Sequence, residues 1–184
     1  MTLPASLEGH DRARLFLALV LPDATLDRLG PWQQVELAGG RIVDRANLHV
    51  TLAFLGSTPV EELGNIVAAL REAAARAVPP VLTVTGYRET RSVGMLVLDD
   101  FEQRATRLAD DLHGRLEALG VYEREQRRWL PHLTVLRFRR PPRLQPALPD
   151  LGEVAPSEAA VYLSVLRPSG AQYEILESAA LGGG

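Results

Sequence analysis

The chain has 184 residues, 46% of them apolar and 23% charged, a net charge of −3 and no cysteine. These totals fit a single unit over residues 1–184, one large domain or two small lobes sharing a core, and exclude disulfides, thiolate metal sites and cysteine nucleophiles. No apolar run reaches the roughly 18 residues that span a bilayer, and no signal-peptide pattern opens the chain, so the cytoplasm is the expected compartment. Lysine is absent as well, all 20 basic residues being arginine, which removes Schiff-base and lysyl-nucleotide chemistry.

In chain order, "RLFLALVL" (14–21) is a short apolar run ended by Pro22-Asp23, the pattern of a buried strand. The next segment predicts a helix around Leu26 and Leu29, with Gly30-Pro31 as a break or kink. Gly39-Gly40 marks a turn, and the strand "NLHVTLAFLG" (47–56) follows. Thr58, Pro59 and Glu61 read as a capping box for a helix whose apolar stripe is Val60, Leu63, Ile66, Val67, Leu70 and Ala74. Two strands joined by a loop follow Pro79-Pro80. A second helix is predicted from the stripe Phe101, Ala105, Leu108, Leu112, Leu116 and Leu119, with Gly120 as its cap. The strand "LPHLTVLRF" (130–138), a Pro-rich connector and a hairpin turning at Pro168-Ser169-Gly170 complete the chain.

Apolar strand, helix and histidine strand thus occur over 14–56 and again over 95–138, which reads as an internal repeat. An approximate two-fold axis between the copies would bring their histidines face to face. Charge is uneven too: residues 124–143 hold seven Arg and one Glu, a local +6 against −9 elsewhere. An Arg cluster is often solvated surface, but this one contains His132, which points it toward an anion.

Only four histidines occur, and two stand in matching His-x-Thr elements, His49/Thr51 and His132/Thr134. On a strand, residues i and i+2 share a face. Each element therefore sets an imidazole and a hydroxyl on one face, with Val50, Leu52 and Phe54, or Leu133 and Val135, toward the core. Two facing imidazoles supply a proton acceptor and a proton donor near neutral pH. The hydroxyls hold oxygens on which charge develops. That set suits phosphoryl chemistry without a metal. A metal site fits poorly, since neither element brings a carboxylate. His113, beside the second helix stripe, is expected on the surface, and His10 in a mobile polar segment. Trp129 and Tyr173 are candidates to stack on a base or ribose, with packing the expectation for Trp129.

The double His-x-Thr, with "RLFLALVLP" and "RPSGAQYEIL" in order around it, resembles the two-histidine phosphoesterases. More narrowly it resembles the bacterial and archaeal RNA 2′,3′-cyclic phosphodiesterases, also called 2′-5′ RNA ligases. The resemblance implies a bilobal α+β fold, two antiparallel sheets facing across a cleft with helices outside. It implies opening of an RNA 2′,3′-cyclic phosphate to a 2′-phosphate, with His49 as proton donor, His132 as proton acceptor and Thr51 and Thr134 on the phosphate. The donor and acceptor labels can be exchanged, since sequence does not orient the substrate. Reverse chemistry, a 5′-hydroxyl in place of water, would join RNA by a 2′-5′ bond.

Arg137 falls where the family often carries an arginine, but regular parity points it away from His132; a bulge or a position at the strand end would bring it back. Arg127, Arg128, Arg139 and Arg140 are candidates to track RNA phosphates, with solvated surface as the alternative. No cofactor is expected, and a monomer is. The rival readings are a cyclic phosphodiesterase of nucleotides or ADP-ribose cyclic phosphate, and a module that binds RNA ends without turnover.

Overall fold

A computed structural model describes residues 5–168 and 170–183, so Ser169 of the expected hairpin turn lies outside the described residues. The order is β1 (Arg12–Val20), α1 (Asp23–Glu36), β2 (Arg41–Ile42), β3 (Val50–Pro59), α2 (Leu63–Arg76), β4 (Leu82–Glu89), β5 (Val93–Asp100), α3 (Arg104–Ala118), β6 (His132–Arg137), β7 (Glu158–Arg167) and β8 (Gly170–Ala180). Among the described residues the strands form two four-stranded sheets, β3-β1-β7-β8 and β2-β6-β5-β4. Every pairing is antiparallel, so the fold is α+β. The two strand–helix–strand units pair alike: β1 with β3 around α1, β5 with β6 around α3. β3 of one sheet lies against β6 of the other.

β1 shows how alternation builds both sides of its sheet. Leu15, Leu17 and Leu19 enter the main core and are fully buried. Phe16 and Ala18 turn to the opposite face and pack with Ala160 and Tyr162 in a separate cluster. The main core runs through both sheets and takes Leu29 from α1, the α2 stripe Val60 to Ala74, and Leu108, Leu112 and Leu116 from α3. Each fully buried leucine contributes about 1.5–3 kcal/mol.

Four local expectations are corrected. α1 runs through Gly30-Pro31 without a break. Leu29 and Gln33 on either side are both buried, so packing overrides the local breaker. The capping box at Thr58 does not form. Thr58 and Pro59 remain in the sheet opposite Ala13 and Arg12, a 3₁₀ turn covers Val60–Glu62, and α2 begins at Leu63. Phe101 is exposed rather than on the α3 stripe, with the Arg104 guanidinium 5.0 Å from its ring centre. The Asp100 carboxylate accepts from the amides of Ala105 (2.9 Å) and Thr106 (2.8 Å) and so sets the helix start beyond it. Finally, β2 intervenes between Gly39-Gly40 and the first histidine, pairing Arg41 with Arg137 and Ile42 with Leu136.

Leu17→Ala should destabilise the protein by about 2–5 kcal/mol, because the site is closed on every side. Urea unfolding would show this as a lower midpoint with the slope retained.

Candidate active site

His49 does not sit inside a strand. It follows a 3₁₀ turn (Arg45–Asn47) and immediately precedes β3. Its Nδ1–H donates to the Asn47 carbonyl at 2.8 Å, which fixes the tautomer and leaves Nε2 bare to accept the Thr51 hydroxyl at 3.0 Å. The Asn47 side chain in turn donates to Ala171 O on β8 (2.9 Å), tying the turn to the far edge of the sheet. The imidazole lies among Phe16 (4.8 Å between ring centres), Tyr173 (5.3 Å) and Tyr162 (5.9 Å). The small, fully buried Ala18 and Ala160 share this face of the sheet and leave room for the ring.

Burial among these rings is the main reason the His49 pKa is lowered, to about 4. The Asn47 bond opposes the shift, and the charges of Arg137 and His132 add to it. Those two charges come from β6, so both motifs act in one cleft. His132 opens β6 opposite Val97. Its Nδ1–H donates to the Leu130 carbonyl at 2.9 Å, the same bond to residue i−2 that His49 makes. Its Nε2 has no hydrogen-bond partner among the described residues. Thr134 is half-buried and faces the same way as His132.

After each threonine the strand takes one extra residue. Ala18 and Leu17 pair with Thr51 and Ala53, leaving Leu52 over. Met95 and Gly94 pair with Thr134 and Leu136, leaving Val135 over. Both are β-bulges, which reverse the strand's parity beyond them. The burial patterns match: positions one, three and four after each histidine (Val50, Leu52, Ala53; Leu133, Val135, Leu136) are buried. Position five then faces the cleft, and it is Phe54 in one motif and Arg137 in the other.

The expectation that Phe54 lies on the core face is thereby overturned: it is 49% exposed and opposite Phe16. Phe54, Phe16, Tyr162 and Ile175 form one row across the sheet, with the Arg14 guanidinium 4.8 Å from the Phe54 ring centre. The same reversal brings Arg137 into the cleft, where Nη2 donates to the Tyr173 hydroxyl at 3.4 Å.

A bulge disturbs the ladder, and buried side chains add donors to its carbonyls, the Val135 carbonyl also accepting the Val43 amide at 3.0 Å. His113 on α3 donates from Nε2 to Leu52 O at 2.7 Å. Gln33 on α1 donates to Val135 O at 3.0 Å and to Val43 O at 3.1 Å. The indole of Trp129 donates to Thr51 O at 3.1 Å. Each helix serves the other unit's histidine strand. His113 is therefore not on the surface: it is 3% exposed and packs on the Tyr122 ring. Sequence reasoning missed Gln33, His113 and Phe54 because all three depend on a bulge that composition does not reveal.

Two of the other candidate arginines are engaged by neighbouring side chains. Arg127 pairs with Glu125 (2.6 Å) and Arg128 with Gln103 (3.1 Å), while Arg139 and Arg140 are exposed. His10 is also exposed. Among the described residues no group of three or more His, Asp or Glu is placed to hold a metal ion, and no helix is long and apolar enough to cross a membrane.

A profile of the 2′-5′ RNA ligase superfamily matches residues 21–166. The chain belongs to that superfamily. The superfamily member is 33% identical over 183 residues to an RNA 2′,3′-cyclic phosphodiesterase of Thermus thermophilus, a match covering 92% of this chain and 91% of the relative. One from Methanocaldococcus jannaschii is 24% identical, covering 89% and 98%. Among solved structures, a protein of Thermus thermophilus superposes with a TM-score of 0.79 at 31% identity, covering 92% of this chain and 98% of that one. E. coli LigT complexed with 3′-AMP gives 0.73 at 25%, covering 93% and 98%.

Two outcomes follow for this superfamily member. The His49 ring should stay neutral down to about pH 4 in nitrogen-detected NMR. Because its folded pKa lies below the ordinary 6.5, its contribution to stability is full above that pH and is lost as pH falls toward about 4. The size is roughly 3 kcal/mol; His49→Leu should flatten unfolding free energy against pH over that window. His113→Leu, which strands the Leu52 carbonyl, should cost about 1–3 kcal/mol in urea unfolding, and His113→Gln, which keeps a donor, clearly less.

Proposed function

We propose that this protein is an RNA 2′,3′-cyclic phosphodiesterase that opens the terminal cyclic phosphate to a 2′-phosphate, using two histidines and no metal. The observation that carries this reading is the matched pair of imidazoles. Each is held by Nδ1–H on the carbonyl two residues upstream, which leaves Nε2 as the working atom. The names of the curated relatives support the substrate.

His132 Nε2 takes a proton from water as the water oxygen attacks phosphorus. The bond from phosphorus to the 3′ oxygen breaks, and His49 Nε2 delivers a proton to that oxygen. Thr51, Thr134 and Arg137 hold the non-bridging oxygens, where charge builds. His49 is neutral in the free protein, so the acid form arises with the substrate. The phosphate anion brings its negative charge beside the ring and raises the pKa again. The Thr51 hydroxyl, released from Nε2 as that nitrogen is protonated, then turns to the phosphate. Run backwards with a 5′-hydroxyl in place of water, the same groups form a 2′-5′ bond. One chain supplies both motifs, which supports a single-domain monomer as the working unit.

The test is hydrolysis of a short RNA ending in a 2′,3′-cyclic phosphate with excess chelator, resolving the two product isomers. A 2′-phosphate is expected, and His49→Ala or His132→Ala should each lower turnover by about 10²-fold or more. Near-wild-type rates in either variant would sink the paired mechanism. Binding a 2′-phosphate-ended RNA at neutral pH should also take up about one proton, read from the buffer dependence of the calorimetric heat. No uptake would exchange the acid and base labels.

A further inference from the structure

Three of the seven arginines in the basic window 124–143 are engaged by other side chains. Arg124 pairs with Asp110 (3.4 Å) and Glu117 (3.6 Å), Arg127 with Glu125 (2.6 Å) and Arg128 with Gln103 (3.1 Å). Arg139 and Arg140 are exposed, and their guanidinium groups have no partner among the described residues. The free charge of the window therefore gathers past the end of β6. That end lies against the β4–β5 hairpin, where the Phe138 amide donates to Ser92 O at 3.0 Å and the Thr90 amide donates to Val93 O at 2.8 Å. The hairpin carries two more exposed arginines, Arg88 and Arg91, again without a partner among the described residues.

Register brings Arg88 to the catalytic face. Residues opposite each other on neighbouring antiparallel strands project to one side of the sheet. Thr134 stands opposite Met95, and Met95 opposite Arg88. Met95 is 8% exposed yet stands outside the main core, in keeping with a place on the cleft side. The neighbouring row runs His132, Val97, Gly86, and a Cβ at Gly86 would meet nothing within 4 Å. One row thus ends on a cation, and the next ends in open space beside it. Glu89, the next residue along, belongs to the opposite face, where it stands opposite Gly94 and accepts the amides of Arg143 and Leu144 (2.8 Å each).

The other unit shows what is particular to this row. β7 stands beside β1 as β4 stands beside β5, and the matching row of the first sheet is Thr51, Ala18, Ala160. Those small residues make room for the His49 ring, whereas the second sheet has a cation in the place of Ala160. Neighbouring strands lie about 4.8 Å apart, so the Arg88 backbone is about 10 Å from that of Thr134, and its long side chain covers part of the gap. A cyclic mononucleotide whose phosphate rests on Thr134 has no second charge to offer there; the next phosphate of an RNA strand has one. We propose that Arg88, backed by the exposed Arg91, Arg139 and Arg140 at the strand ends, binds the RNA backbone upstream of the cyclic phosphate, so that the strand leaves the site across the second sheet. This rests on the phosphodiesterase reading and sharpens it: the preferred substrate is a polynucleotide end over a cyclic mononucleotide. A planar guanidinium fork suits the two non-bridging oxygens of a phosphodiester.

The experiment measures kcat/KM for a cyclic-phosphate mononucleotide and for a hexanucleotide with the same cyclic-phosphate end, in the wild type, Arg88→Gln and Arg127→Gln. The wild type should favour the hexanucleotide by about tenfold or more. Arg88→Gln should cut that ratio by about threefold to tenfold, the weight of one exposed charge-assisted contact. Arg127→Gln removes an arginine that Glu125 already engages, and should keep the ratio. Binding of a 2′-phosphate-ended hexanucleotide should also depend less on salt in Arg88→Gln, the log–log slope falling by about 0.7 for one lost phosphate contact. A hexanucleotide no better than the mononucleotide, or a ratio and slope unchanged in Arg88→Gln, would overturn the proposal. Equal losses on both substrates in Arg88→Gln would overturn it too, because the arginine would then act at the reacting phosphate. Turnover of neither substrate by the wild type would instead overturn the phosphodiesterase reading itself.

Discussion

The cleft depends on two bulges, each placed directly after a His-x-Thr. A regular strand cannot hold a histidine and a threonine over a cleft, bury the residues between and after them, and then send the fifth residue back to the cleft. One extra residue, Leu52 in β3 and Val135 in β6, makes that sequence of directions possible. The ladder is disturbed there, and buried side chains from the crossover helices donate to the extra residues' carbonyls, His113 to Leu52 and Gln33, beside the Val43 amide, to Val135. Because each helix caps the strand of the other unit, the two histidines are positioned by one interlocked frame. Motion of either helix would be felt at both motifs.

The same frame sets the electrostatics. The two imidazoles receive identical backbone bonds, yet their surroundings differ. His49 lies over small residues, Ala18 and Ala160, and among three aromatic rings, which push its proton affinity down. His132 opens its strand beside the arginine side of the cleft. A fold with an approximate two-fold repeat has thus given its two copies unlike environments.

Much of the layout was legible in the sequence. The alternation in β1, the α2 stripe and the doubled His-x-Thr each carry their own period, and the structure follows them. What escaped was non-local. Pro31 reads as a breaker because its helix is held by contacts a linear reading cannot see. Thr58-Pro59-Val60-Glu61 has the spacing of a capping box, but pairing with Arg12 and Ala13 keeps its first residues in the sheet. The dilemma over Arg137 was visible as a parity conflict, and the bulge resolves it. Phe54 carried the same conflict without an arginine to draw notice, and His113 looked like surface because its acceptor lies 61 residues away.

The two bulges also bear on how this cleft changes over generations. Substitution at Phe54 or Arg137 alters one side chain. Loss of a single codon at Leu52 or Val135 would restore regular alternation while Phe54 or Arg137, then four residues after its histidine, kept to the cleft side. What such a loss removes is the extra buried residue and its carbonyl, to which the buried His113 or Gln33 side chain donates. Length at these two points is therefore tied to the buried partners on the helices, and insertions belong elsewhere, in the connector between β6 and β7.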